Sequence, residues 1–137
     1  MDKTESVALI SGRYDPVHIG HIVTIHRLAR EFDRVIVVIL DYPEREYPAK
    51  YVGQIMTEVL CGSRGSFDIC VNNTHFGKIT REELDEWDFN VYVAGNMQVL
   101  KHIESMGYDV KWMDRAYHYE ATNDRIAEGV KKLIKKH

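Results

Sequence analysis

The run Val35-Ile36-Val37-Val38-Ile39-Leu40 is apolar at every position. Successive side chains of a strand alternate between the two faces of its sheet, so a strand made from this run needs apolar cover on both. Helices packed on both faces of a parallel sheet supply that cover, whereas an antiparallel meander with one wet face does not. The run therefore directs the chain towards an α/β architecture.

The flanking sequence agrees. Residues Ser6 to Ser11 read as a short buried strand that stops at Gly12, and from Gly20 to Phe32 the apolar Ile22, Ile25, Leu28 and Ala29 recur at helical spacing. With Val35 to Leu40 they make a βαβ unit. A polar loop follows (Asp41 to Tyr47), then a helix near Pro48 to Leu60 with proline expected at its first position, and a strand near Phe67 to Val71. Thr80-Arg81-Glu82-Glu83 has the spacing of a capping box and predicts a third helix, and Val91 to Ala94 is another strand. A helix ending at Met106 with Gly107 as its cap, a strand from Asp109 to Met113 and a last helix from Thr122 complete the pattern. With no linker and no internal repeat, residues 1–137 are expected to form one Rossmann-like domain, a five-stranded, mostly parallel sheet with helices on both faces. Its ligand site should lie at the carboxyl ends of the strands.

Composition narrows the partners. A net charge of -3 disfavours a broad nucleic-acid surface, which needs Lys and Arg gathered on one face. Lys131, Lys132, Lys135 and Lys136 are the one basic cluster, and the last turns of a helix are an ordinary place for solvated cations. The hydrophobic fraction of 45% includes no apolar run long enough to span a bilayer. The stretch before Val7 lacks the form of a secretory signal, and Cys61 and Cys70 do not suggest a disulfide framework. A cytoplasmic protein without membrane or nucleic-acid partners is expected.

The chemistry concentrates where the first strand ends. Gly12-Arg13-Tyr14-Asp15-Pro16-Val17-His18-Ile19-Gly20-His21 places an H-x-G-H sequence at the start of a helix, where backbone N–H groups and the positive end of the dipole favour an anion. Gly12 and Gly20 would let the backbone approach a phosphate or a base closely, and Arg13 adds a permanent cation. His26, His75, His102 and His137 read as ordinary surface or core histidines. Metal coordination by His18 and His21 lacks an evident third ligand, so no protein-held metal is expected.

This turn, followed by an amphipathic helix and an apolar strand, resembles the H-x-G-H nucleotidyltransferase superfamily, which includes nicotinamide-mononucleotide and phosphopantetheine adenylyltransferases and glycerol-3-phosphate cytidylyltransferases. The likeness extends to Tyr92-Val93-Ala94-Gly95-Asn96, to Arg115 and to Tyr119-Glu120-Ala121-Thr122-Asn123-Asp124-Arg125. It implies transfer of a nucleoside monophosphate from a triphosphate to the phosphate of a small acceptor, with pyrophosphate released and Mg²⁺ carried in on the triphosphate. It implies His18, His21 and Arg125 as catalytic groups, and Gly12, Arg13, Tyr14, Gly20, Gly95, Asn96, Arg115 and Thr122 as nucleotide-binding ones. Arg13 and Gly95-Asn96 are nearer to the adenylyltransferases that act on nicotinamide mononucleotide, which favours ATP. Asp15 and Arg115 also fit a cytidylyltransferase using CTP and glycerol 3-phosphate or a similar ester. Relatives commonly form dimers or larger rings, so a homo-oligomer is compatible with the resemblance.

Two places depart from the pattern. Many relatives carry an E-R pair where this chain has Gly53-Gln54, and Glu120-Ala121 stands where small hydroxyl or glycine residues are common. A nucleotide-binding regulatory protein without turnover is the reading those departures suggest. Arg45 and Lys50 are the cations near enough to replace the absent arginine, although a solvated surface position is the ordinary expectation for each. Asn72 to Lys78 and Trp87 or Trp112 are candidates for acceptor specificity, with the core as the default place for both tryptophans.

Overall fold

Alternation of strand and helix governs the computed structural model, which describes residues 5–60, 62, 65–73 and 78–113. The elements are β1 (Val7–Gly12), α1 (Ile19–Glu31), β2 (Arg34–Leu40), α2 (Ala49–Leu60), β3 (Phe67–Asn72), α3 (Arg81–Asp85), β4 (Val91–Ala94), α4 (Met97–Ser105) and β5 (Asp109–Trp112). The five strands form one sheet in the order β3-β2-β1-β4-β5, and every adjacent pair is parallel. The helix expected from Thr122 onwards lies outside the described residues, as does the lysine cluster within it.

The apolar run is buried on both faces, as its composition requires. Val35, Val37 and Ile39 of β2 join Ala8 and Ile10 of β1 in a core with Ile25 and Leu28 of α1 and Val52 and Met56 of α2. Ile36, Val38 and Leu40 join Val7 and Leu9 in a second core with Leu84 of α3 and Leu100 and Ile103 of α4. Thus α1 and α2 cover one face, and α3 and α4 the other. Right-handed crossovers explain the division: from β1 the chain first winds outward through β2 to β3, then returns past β1 and winds the opposite way through β4 to β5. The switch point falls between β1 and β4. There the connections leaving adjacent carboxyl ends diverge to opposite faces and open a crevice.

Local signals set several boundaries. Thr80 Oγ1 accepts from the Glu83 N–H at 3.3 Å, while the Thr80 N–H donates to the Glu83 carboxylate at 3.4 Å, closing the capping box expected from the sequence. Gly107 follows α4 with φ +96, the left-handed geometry that glycine adopts without steric cost. Pro48 sits one place earlier than expected. Its carbonyl accepts from the Val52 N–H at 3.1 Å, so it caps α2 instead of occupying the first helical position. No helix among the described residues is long and apolar enough to cross a membrane.

Candidate active site

Backbone and imidazoles cap α1 together. His18 is extended (φ -139, ψ 175) at the N-cap, and its Nδ1 accepts from the Gly20 N–H at 3.0 Å. The His18 N–H in turn donates to Nδ1 of His21 at 3.1 Å, a reciprocal arrangement in which histidines take the places usually held by a hydroxyl and a carboxylate. The rings stack with centroids 3.8 Å apart and planes 22° from parallel. An imidazole whose Nδ1 accepts must, when neutral, carry its proton on Nε2. The cap therefore makes both histidines Nε2–H donors at the positive end of α1, beside the switch point.

The residues before them support this geometry. Tyr14 is buried, with φ 48, and its ring meets His21 edge-on at a centroid distance of 4.8 Å. Gly12 has a reason the sequence did not disclose: a Cβ there would lie 3.1 Å from Cζ of Tyr14, so the missing side chain makes room for this ring. Arg13 is exposed and lies 4.8 Å over the ring of Tyr42. Gly20 donates its N–H to His18, and its carbonyl accepts from Oγ1 of Thr24 at 3.0 Å.

Arg45 corrects the expectation of a solvated surface cation. Its side chain is only 4% exposed. Nε donates to the Tyr47 carbonyl at 2.8 Å, Nη1 to the Leu40 carbonyl at 2.8 Å and to that of Arg13, and Nη2 to the Tyr14 carbonyl at 3.1 Å. Asp15 completes the connection from the other side, accepting from the Glu46 and Tyr47 N–H groups at 2.9 and 2.8 Å. A charged residue in a polar loop gives no local sign of this role, because two of the four carbonyls it meets, those of Arg13 and Tyr14, come from a turn distant in sequence. Lys50 is exposed, as expected.

Across the switch point, Gly95 and Asn96 follow β4, and both are exposed. Asn96 is the N-cap of α4, its Oδ1 accepting from Gln98 and Val99 at 3.0 and 3.3 Å. The turn of β1 and the turn of β4 are thus brought side by side through the pairing of Ile10 with Val93. Ser11 and Tyr92 share a hydrogen bond between these strands, and burial pushes the Tyr92 phenol strongly up. Arg115, Glu120, Thr122 and Arg125 lie outside the described residues, as do His75 and His137. His102 meets the Ile79 carbonyl at 3.0 Å and His26 packs edge-on against Phe67, the ordinary roles expected of them. Trp87 packs against the α3–α4 core, but Trp112 departs from the expected core position: it ends the edge strand β5 opposite Ala94 and is 55% exposed. Gln54 is exposed on α2, and Gly53 packs beneath it towards Ile39. Among the described residues no group of three or more His, Cys, Asp or Glu side chains is gathered as metal ligands would be. A cavity of about 370 Å³ lies away from the turn, lined by His26, Ala29, Arg30 and Gly65.

Residues 9–58, from β1 through the histidine turn into α2, match a family model described as cytidylyltransferase-like. The likeness of this stretch to that family covers less than half of the chain. A phosphopantetheine adenylyltransferase from Symbiobacterium thermophilum is 46% identical over 39 residues, a stretch covering 28% of this chain and 24% of that protein. A crystal structure of NadR protein in complex with NAD and AMP-PNP superposes with a TM-score of 0.66 at 16% identity, over 93% of this chain and 43% of that one. The chain thus spans less than half the length of either relative. The superposition carries the fold, a parallel five-stranded α/β sheet of Rossmann type.

Proposed function

We propose that the chain is a nucleotidyltransferase that moves the nucleoside monophosphate of ATP onto the phosphate of a small acceptor, of the kind of nicotinamide mononucleotide. The paired cap of α1 carries this reading: two stacked imidazoles, each with Nδ1 held by a backbone N–H, present Nε2–H donors at a helix N-terminus. An acceptor phosphate oxygen attacks the α-phosphorus, the bond to the bridging oxygen breaks, and pyrophosphate leaves with its Mg²⁺. No covalent enzyme intermediate is needed, so the protein contributes position and charge. His18 and His21 donate to the α-phosphate oxygens as the phosphorus passes through five-coordination, and Arg13 faces the phosphates. Arg115, Thr122 and Arg125 are assigned to the remaining phosphate contacts by the resemblance. ATP as donor is favoured by the adenylyltransferase relative and by the AMP-PNP bound to NadR.

Pyrophosphate release, measured with each of the four triphosphates against a panel of phosphorylated acceptors, tests the proposal. Release is expected with ATP and only in the presence of a suitable acceptor. Release with CTP and glycerol 3-phosphate would transfer the assignment to a cytidylyltransferase. Triphosphate binding without release in any combination would favour a regulatory protein.

A further inference from the structure

We infer that Arg45 and Asp15 are positioning residues, forming a clasp that sets the conformation of the histidine turn from the loop on the other side of β2. For its functional consequence this rests on the reading of the turn as a triphosphate site. The geometry forms one continuous chain of contacts. The buried guanidinium of Arg45 takes up the carbonyls of Arg13 and Tyr14, and Asp15 fastens the turn to the backbone of Glu46 and Tyr47. Between these holds, Tyr14 adopts its left-handed backbone, places its ring in the space left by Gly12 and meets the edge of His21. His21 then accepts from the backbone of His18, against whose ring it stacks.

The clasp also selects which polar groups of the turn face an anion. In a trans peptide the C=O and N–H point in opposite directions. With the carbonyls of Arg13 and Tyr14 drawn to Arg45, the N–H groups of Tyr14 and Asp15 are turned away from it. A guanidinium is suited to this task because its planar fork satisfies several acceptors at once, and Asp15, 3.9 Å from Nη2, offsets its buried charge. The loop of residues 41–47 is therefore part of the site's support.

Long-range ¹H–¹⁵N spectra of histidine-labelled protein, recorded on the wild type, Arg45→Ala and Arg45→Lys, read the clasp without assuming any activity. In the wild type His18 and His21 are expected as fixed Nε2–H tautomers. In Arg45→Ala their Nδ1 and Nε2 signals should converge as tautomers mix, while His102, bonded to Ile79 remote from the turn, keeps its wild-type signals. Affinity for ATP–Mg²⁺, measured by calorimetry, should fall at least about tenfold, because small displacements of positioning groups are costly. Arg45→Lys keeps the charge but cannot reach all four carbonyls, so it should move the same signals by a smaller amount, and it decides the matter if Arg45→Ala does not fold. Wild-type histidine signals in a folded Arg45→Ala or Arg45→Lys protein would overturn the inference. A wild type that does not bind ATP–Mg²⁺ would instead refute the triphosphate reading, with the histidine signals still testing the clasp.

Discussion

At the scale of single residues, the turn shows how one position hides its reason behind another. Gly12 is conspicuous in the sequence, but that Tyr14 fills the space above it depends on a left-handed Tyr14 that no local pattern announces. Gly12→Ala forces the Tyr14 ring to give way and should cost about 1–3 kcal/mol, as overpacking does, read from the urea midpoint of unfolding. An unchanged midpoint would mean that the ring has room to move. The histidine pair was legible because two imidazoles three apart at a helix start are unusual. Arg45 was not, because a cation among Pro43, Glu44 and Glu46 has water as its expected partner. Cys70 offers a test of burial: its thiol is pushed up by burial, partly opposed by a hydrogen bond with Trp87 and reinforced by the Asp68 carboxylate. Since the thiolate is the reactive form, a Cys61→Ser protein should be alkylated slowly at pH 8 compared with a free thiol, gaining rate as pH rises above the ordinary thiol range. Reaction at the free-thiol rate at pH 8 would contradict that environment.

At the scale of elements, boundaries marked by side-chain chemistry were readable, and those set by tertiary contacts were not. Thr80 and Glu83 announce α3, and Gly107 announces the end of α4. Thr80→Ala removes the acceptor for the Glu83 N–H, and should cost about 1 kcal/mol, detectable as a lower thermal midpoint with the fold retained. No loss would assign the start of α3 to packing of Leu84 instead. Pro48 shifts from the first helical position to the cap in a segment whose preceding residues, Glu46 and Tyr47, are tied to Asp15. Asn96 is likewise a cap, the oxygen of its amide engaged with α4; under the proposed function its amide NH₂ is the group that would meet the nucleotide.

At the scale of the whole molecule, the apolar run of β2 was enough to foretell helices on both faces, because period-two alternation leaves no other way to bury it. Strand order was less legible, since periodicity says nothing about which strands pair. It is the return of the chain past β1 that brings the Gly12 turn beside Gly95-Asn96. Leu9, fully buried on the α3–α4 face of the central strand, should lose about 2–5 kcal/mol on Leu9→Ala, whereas Val71→Ala, at a position 45% exposed on an edge strand, should change stability by less than about 0.5 kcal/mol. Chemical denaturation of the two variants measures this contrast, and equal losses would contradict the layering. The central claim concerns which phosphorus is attacked, and ATP labelled with ³²P at the α position, incubated with Mg²⁺ and nicotinamide mononucleotide, addresses it most directly. The label is expected on the acceptor, with transfer falling roughly a hundred- to thousandfold in His18→Ala and His21→Ala, about 2.7–4 kcal/mol for each lost donor. Transfer at the wild-type rate in both variants, or no transfer to this or any other phosphorylated acceptor, would contradict the account.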